Sequence, residues 1–348
     1  MSKEHLKEKC GLFGVFNHED ASFLTFLGLY SLQHRGEESC GIISFDGTEF
    51  FWHRSMGLVS EGFKEEDLRR LKGYVAIGHV RYSTTGSSAI KNIQPLFVDS
   101  KKFPLALAHN GNLVNSLFLR ENLEDKGAIF QTTSDSELIL HLIMRTKSGS
   151  LKEKIVHSLK KIKGAYSLLL MTKESIIGIR DPLGFRPLCI GKKDRTFFIS
   201  SETCALDLVG AQFLREIEPA EMVVIDKKGI HSYKFSNSSK RCAFCAFEFV
   251  YFARPDSIIF GETVHLVREK LGRKLACEKP VDADLIIGVP DSGTSAALGF
   301  SKESGIPLEV GIIRNHYIGR TFIKPTQEKR ELGVKLKFNI LKEVVKGK

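Results

Sequence analysis

Six short runs of β-type residues crowd the stretch from residue 10 to about residue 227. They are GLFGVF at 11–16, CGIISF at 40–45, YVAIGHV at 74–80, LALAHN at 105–110, AYSLLLM at 165–171 and EMVVI at 221–225. Stretches with helical apolar periodicity separate them, so this part of the chain must build sheets that bury their faces under helices. One helix start is marked: Ser134-Asp135-Ser136-Glu137 has the spacing of a capping box, and Leu138/Leu142 and Ile139/Ile143 follow at helical intervals. Lys227–Arg241 is polar, rich in Ser and Lys, and reads as a linker. Beyond it the pattern changes to helix (262–278), buried strand (284–289), helix (294–304) and strand (308–313), a βαβ unit that predicts a second, α/β domain with a parallel sheet.

Composition narrows the function classes. A chain of 348 residues has room for two domains, and 42% hydrophobic with 26% charged residues excludes disorder throughout. No stretch approaches the 18 apolar residues of a membrane span, and residues 1–9 carry five charges with no apolar leader, so the reading is a soluble, cytoplasmic protein with no membrane partner. Seven cysteines at irregular spacing read there as reduced thiols, ligands or nucleophiles, not as a disulfide framework. The net charge of +10 is uneven: residues 314–348 hold ten Lys or Arg against three Asp or Glu. That segment could meet a nucleic-acid backbone, a phosphorylated small molecule or solvent alone. Zinc-finger, RRM and GxxG signatures are absent, so nucleic acid is not an expected partner.

Several polar segments of the first domain could carry chemistry. Cys10 opens a strand-like run and is readable as a small buried residue. It is also readable as a nucleophile: cleavage after Lys9 would leave it an α-amino group with a pKa of roughly 7.7–8.0 as a built-in base. Arg81 ends a strand in a hydroxyl-rich loop, where its guanidinium could hold a carboxylate in two hydrogen bonds. Asn110-Gly111 could present an amide and a backbone N–H to an oxyanion, or could be a turn. Asp135 at a helix start could receive an ammonium group, or be no more than a helix-start acid. Together the four supply the parts of an acyl-transfer site.

At greater length, the segments CGLFG at 10–14, LQHRGEESCGI at 32–42, GHVRYSTTGSS at 78–88, NIQPL at 92–96, AHNGNLVN at 108–115, TTSDSE at 132–137, RDPLGFRPL at 180–188, FEFVYFARPDS at 247–257, GVPDSGTSAALGF at 288–300 and RNHYIGRTFIKPTQEKRELGVKLKFN at 314–339 resemble the glutamine phosphoribosylpyrophosphate (PRPP) amidotransferases, a family of N-terminal-nucleophile enzymes. The resemblance implies an α+β, αββα sandwich followed by an incomplete α/β type I phosphoribosyltransferase domain. It divides the chain into a propeptide (1–9), a glutaminase domain (10–240) and a partial phosphoribosyltransferase domain (241–348).

The same resemblance implies that Cys10 takes the acyl group of glutamine, Arg81 binds its α-carboxylate, Asp135 its α-amino group, and Asn110 with the Gly111 N–H the oxyanion. Ammonia would then displace pyrophosphate from PRPP, with Mg2+ assisting, in the first step of purine synthesis. Asp291 and Ser292 fall in the pyrophosphate loop, with Ser292 at the metal site. Arg314, Tyr317, Arg320 and Lys324 fall in the loop that closes over PRPP. Cys245 falls at one ligand position of a 4Fe–4S cluster whose other ligands would lie beyond residue 348, while Cys242 does not. Cys40, Cys189, Cys204 and Cys277 read as small core residues. Purine nucleotides are implied as inhibitors and a homo-oligomeric dimer or tetramer as the assembly.

Glu37 and Cys40 depart from the family's usual Gln and Ala. The family's PRPP-binding strand, ending in paired Asp, should begin just after residue 348. The expectation is therefore a C-terminally truncated chain that hydrolyses glutamine without coupling, with apolar surface and a bare strand edge in its second domain. The alternatives are a glucosamine-6-phosphate synthase or asparagine synthetase relative, which would have no use for the 314–325 loop, and a non-catalytic or regulatory remnant of the amidotransferase.

Overall fold

The computed structural model describes residues 10–82, 89–100, 103–236, 242–317 and 327–348. Two antiparallel sheets form the first unit. The seven-stranded sheet joins β1 (Gly11–Phe16), β2 (Ser39–Phe45), β3 (Phe50–Met56), β4 (Val75–Arg81), β9 (Cys189–Lys193), β10 (Thr196–Ser200) and β11 (Gln212–Glu216), in the order β11-β9-β10-β1-β4-β2-β3. The six-stranded sheet joins β5 (Leu96–Val98), β6 (Leu105–Leu113), β7 (Gly164–Met171), β8 (Ser175–Arg180), β12 (Glu221–Asp226) and β13 (Gly229–Lys234), in the order β13-β12-β8-β7-β6-β5. Leu12, Ile43, Ile77, Ala106, Ala108, Leu169, Ile199 and Val223 fill the space between the sheets.

Helices cover the outer faces. Helix α1 (Ala21–Ser31), with α2 (Val59–Gly62), α3 (Glu65–Arg70) and α7 (Thr203–Leu208), lies on the first sheet, where Leu29, Leu32, Val59 and Leu206 join its core. On the second lie α4 (Ser116–Glu124), α5 (Ser136–Arg145) and α6 (Leu151–Leu159), which contribute Leu123, Leu138, Leu142 and Ile155. This αββα layering explains the unbroken apolar runs: every residue of β1, β2 and β4 is buried, because sheets covered on both faces have no wet side to alternate with.

Two local expectations fail. The linker read over Lys227–Arg241 contains β13, which pairs with β12 from Glu221↔Lys234 to Asp226↔Gly229. It is an edge strand, half-exposed and polar, the composition that guards an edge against further pairing and that hides a strand from a pattern search. The capping box at Ser134–Glu137 does not form. Asp135 is the N-cap of α5, and the Glu137 carboxylate instead accepts the backbone N–H groups of Gln131 and Thr132, at 2.8 and 2.7 Å.

Residues up to Glu248, Phe252–Arg254 and Ile258–Gly261 belong to the first unit, and Phe249–Tyr251, Pro255–Ser257 and Glu262–Lys348 to the second. In the second unit the parallel pair Ile286–Ile287 and Leu308–Glu309 flanks the helix Ser292–Ser304, so the βαβ unit is present with strands much shorter than 284–289 and 308–313. Ile312–Arg314 pairs antiparallel with Phe338–Ile340. Leu266, Leu275, Val289 and Val310 are half exposed or more. Among the described residues no helix is long and apolar enough to cross a membrane.

Candidate active site

Sheet register brings the first-domain candidates together. Cys10 directly precedes β1, whose neighbour β4 ends at Arg81, and its Sγ lies 3.9 Å from the Tyr82 carbonyl. From the facing sheet, β6 delivers Asn110, whose Oδ1 accepts the Cys10 N–H at 3.2 Å. The Asn110 Nδ2 is buried and finds no hydrogen-bond partner among the described residues. A buried donor left unmade costs on the order of 1–3 kcal/mol, so its retention needs a reason.

Gly111 follows, with φ +147°, in the region that favours glycine; a methyl there would overlap the Ala165 carbonyl on β7. The backbone can thus bend tightly beside Asn110. Asp135 is buried at the start of α5, and its Oδ2 accepts the Leu113 N–H from β6 at 2.9 Å. Arg81 is buried, and its Nη1 donates to Glu38 Oε1 at 2.9 Å, so a carboxylate already rests on the guanidinium.

Sequence reasoning left several participants without a role. Arg35 is fully buried; its Nε donates to the Cys10 carbonyl at 2.9 Å, and its other nitrogens pair with Glu248 and Glu202. Burial works against its charge, but the two carboxylates outweigh burial and hold its pKa above the ordinary value. Two buried histidines lie beneath Asn110. His79 Nε2 donates to the His109 carbonyl at 3.1 Å, and burial depresses its pKa to about 3; burial lowers that of His109 as well, against the pull of Asp135. Glu38, Arg35, His79 and His109 all fall inside motifs visible in the sequence, yet their partners lie across strands, where no local pattern reports them.

In the second unit Asp291 is the N-cap of the helix Ser292–Ser304, and its Oδ2 pairs with Arg314 Nη1. Ser292 is half-buried beside it and Tyr317 is almost wholly exposed. Arg320 and Lys324 lie outside the described residues. Asp291 and Ser292 offer a carboxylate and a hydroxyl, oxygen donors that suit Mg2+ when waters and substrate phosphates complete its shell. Among the described residues no group of three or more His, Cys, Asp or Glu side chains is arranged to hold a metal. Cys245 is a single half-buried thiol and Cys242 an exposed one, so Cys245 would be one ligand of a cluster that needs four. Cys40, Cys189 and Cys204 are buried, and burial alone pushes the Cys40 thiol up to about 12. Cys277 corrects the core reading: it is exposed, on a helix flank facing solvent, with its Sγ 3.5 Å from Glu303.

This fold, two β-sheets between helical layers with a βαβ-containing second unit, is that of an N-terminal-nucleophile amidotransferase followed by a phosphoribosyltransferase domain. Residues 79–208 match the glutamine amidotransferase domain family. The chain is 48% identical over 345 residues to the amidophosphoribosyltransferase of Staphylococcus aureus (strain COL), covering 99% of this chain and 70% of that one. It is 49% identical over 344 residues to that of Bacillus subtilis (strain 168), covering 99% and 72%. The solved structure of glutamine PRPP amidotransferase from B. subtilis, in complex with ADP and GMP, superimposes with a TM-score of 0.90 at 48% identity, over 97% of this chain and 73% of that one. The chain belongs to the amidophosphoribosyltransferase family, enzymes of purine biosynthesis that use glutamine to aminate PRPP.

Proposed function

We propose that Cys10, its amino group freed by removal of residues 1–9, is the nucleophile of this amidotransferase. The observation that carries the reading is the buried Asn110: its Oδ1 holds the Cys10 nitrogen while its Nδ2 stays unspent. The Cys10 α-amine takes the thiol proton as Sγ attacks the amide carbon of glutamine and the C–S bond forms. The oxyanion that develops receives hydrogen bonds from Asn110 Nδ2 and the Gly111 N–H. The C–N bond then breaks, the amine returns its proton to the departing ammonia, and water hydrolyses the thioester to glutamate. Arg81 holds the α-carboxylate of glutamine, which takes the place of Glu38, and Asp135 holds the ammonium.

In the 241–348 domain, which follows a glutaminase domain of residues 10–240, the ammonia attacks C1 of PRPP; the C1–N bond forms as the bond to pyrophosphate breaks. Asp291, Ser292, Arg314, Tyr317, Arg320 and Lys324 are the PRPP contacts in this reading, which accounts for the basic segment without nucleic acid. Ser292 and the Asp291 carboxylate are the residues that would hold Mg2+, which would supply charge neutralisation on the leaving pyrophosphate. Cys245 remains the one iron–sulfur position of the reading, and no step runs through it. The reading takes the protein as a cytoplasmic homo-oligomer inhibited by purine nucleotides, the latter supported by the ADP and GMP in the B. subtilis relative.

The test is a Cys10→Ala variant beside the parent. Intact mass of the parent should lack residues 1–9, and a glutamine-mimicking diazoketone should label it at Cys10. The variant should lose the label and glutamine hydrolysis together, while PRPP-dependent use of free ammonia is assayed separately. Glutamine hydrolysis by Cys10→Ala would sink the proposal.

A further inference from the structure

One buried amide ties the two halves of this site together. Gln94 is 4% exposed. Its Oε1 accepts the His109 N–H, at 2.7 Å, one residue before Asn110. Its Nε2 donates to Ser136 Oγ, at 3.0 Å, one residue after Asp135. A backbone N–H can only donate, so the orientation of the amide is fixed by its partners. Ser136 Oγ stands at the centre of a network that joins Gln94, Ser134, His109 and Asp135. This oxygen takes hydrogen bonds from Gln94 and from the Ser134 hydroxyl at 3.1 Å, which fills both lone pairs, and its own proton faces His109 Nδ1 at 3.0 Å and Asp135 Oδ1 at 3.5 Å. Burial works against a charge on the His109 ring, whose Nδ1 lies 3.8 Å from Asp135 Oδ1. The neighbouring Asn92 makes a parallel link: its side chain donates to Thr133 Oγ1 at 2.8 Å and accepts the Thr133 N–H at 2.9 Å.

We infer that Gln94 is a positioning residue that sets the distance between the oxyanion donors on β6 and the ammonium-binding carboxylate at the start of α5. The inference rests on the proposed roles of Asn110, Gly111 and Asp135 and goes beyond them: it assigns to Gln94 the alignment of the substrate's α-amino group with its amide.

The substrate pair that reads this alignment is glutamine against 4-carbamoylbutanoate, which keeps the amide and the carboxylate and lacks the amino group. Hydrolysis of both is measured in the full chain for the parent and for Gln94→Glu, Gln94→Leu and Ser136→Ala. Gln94→Glu keeps the shape and the acceptor but loses the donor to Ser136, and it decides the matter if Gln94→Leu does not fold. The expected result is a fall in the preference for glutamine on the order of ten- to a hundredfold, the scale of loss that follows when a reacting group is misplaced by about 1 Å. Gln94→Leu combined with Ser136→Ala should cost no more selectivity than either alone, since both cut one link. An unchanged preference in the folded variants, whatever their stability, overturns the inference. Cys10→Ala separates the two readings: if it still hydrolyses glutamine, the site itself is wrongly placed, whereas an inactive Cys10→Ala with unchanged selectivity in the Gln94 variants refutes the role of Gln94 alone.

Discussion

At the scale of single residues, the site is surrounded by groups whose charge state is set by burial. Arg35 illustrates one outcome: fully buried, it keeps its charge because Glu248 and Glu202 are buried beside it, and it spends one donor on the Cys10 carbonyl. Removing one member of such a cluster strands the others, which makes it costly to break whatever its net worth. His79 illustrates the opposite outcome, a titratable ring kept neutral. Its folded pKa of about 3 lies below the value near 6.5 of an unfolded chain, so between the two the unfolded state binds a proton that the folded state refuses. The stability it contributes is complete above about pH 6.5 and declines as pH falls toward 3, by about 1.4 kcal/mol per pH unit, or about 2 kcal/mol by pH 5. His79→Gln, which can still donate to the His109 carbonyl, should therefore show a shallower loss of stability with acid. Urea midpoints at pH 7.5, 6 and 5 check this, and parallel curves for parent and variant would mean that His79 protonates in the folded protein.

Among elements, one tight constraint on the site is where β2 passes the segment carrying Gln94. Gly41 sits in the middle of β2, between His79 on β4 and Arg54 on β3, and a methyl added there would overlap the Gln94 carbonyl. The obstacle is backbone, held between sheet strands on one side and the Gln94 network on the other, so neither side can yield cheaply. Gly41→Ala should destabilise by roughly 1–3 kcal/mol, the usual cost of overpacking, and should lower kcat/KM for glutamine as Gln94 shifts. Gly14→Ala is the comparison, because its new methyl would meet a Leu169 methyl at 3.0 Å, a side chain able to turn aside. Thermal unfolding and glutamine kinetics on the two variants distinguish the positions; equal, small effects would refute the argument. This also explains what was readable in advance. Buried strands such as β1 and β4 announce themselves through their own apolar residues, as does α5 through Leu138, Leu142, Ile139 and Ile143. Strand β13 does not, because its polar edge composition matches that of a loop. The candidate residues stood in visible motifs, and so did Arg35, Glu38 and Gln94, but these three work through bonds to Cys10, Arg81, His109 and Ser136 that depend on sheet register and have no periodicity of their own.

For the molecule as a whole, the two units cohere by different means. The first has two broad sheets with a shared apolar interior, while the described strands of the second pair over two or three residues each, too few to hold it. Its cohesion falls on the helices Val264–Glu278 and Ser292–Ser304. On the first of these Val264, Arg268, Gly272 and Ala276 are buried at every fourth position, one stripe along the helix. The backbones meet there without side chains between them: a methyl at Gly272 would overlap the Ala296 carbonyl, and one at Gly299 the Glu269 carbonyl. Gly299→Leu must therefore push the helices apart, and the contacts it breaks belong to the second unit. Hydrogen exchange followed peptide by peptide should show amides across 264–304 exchanging faster by an order of magnitude or more, as a loss above about 1.4 kcal/mol of local stability requires. The strands β1, β4, β6 and β7 should keep the protection they have in the parent, and Cys10 should still take the diazoketone. Faster exchange in those strands as well would show that the sandwich draws its stability from the same cooperative block as the helix pair.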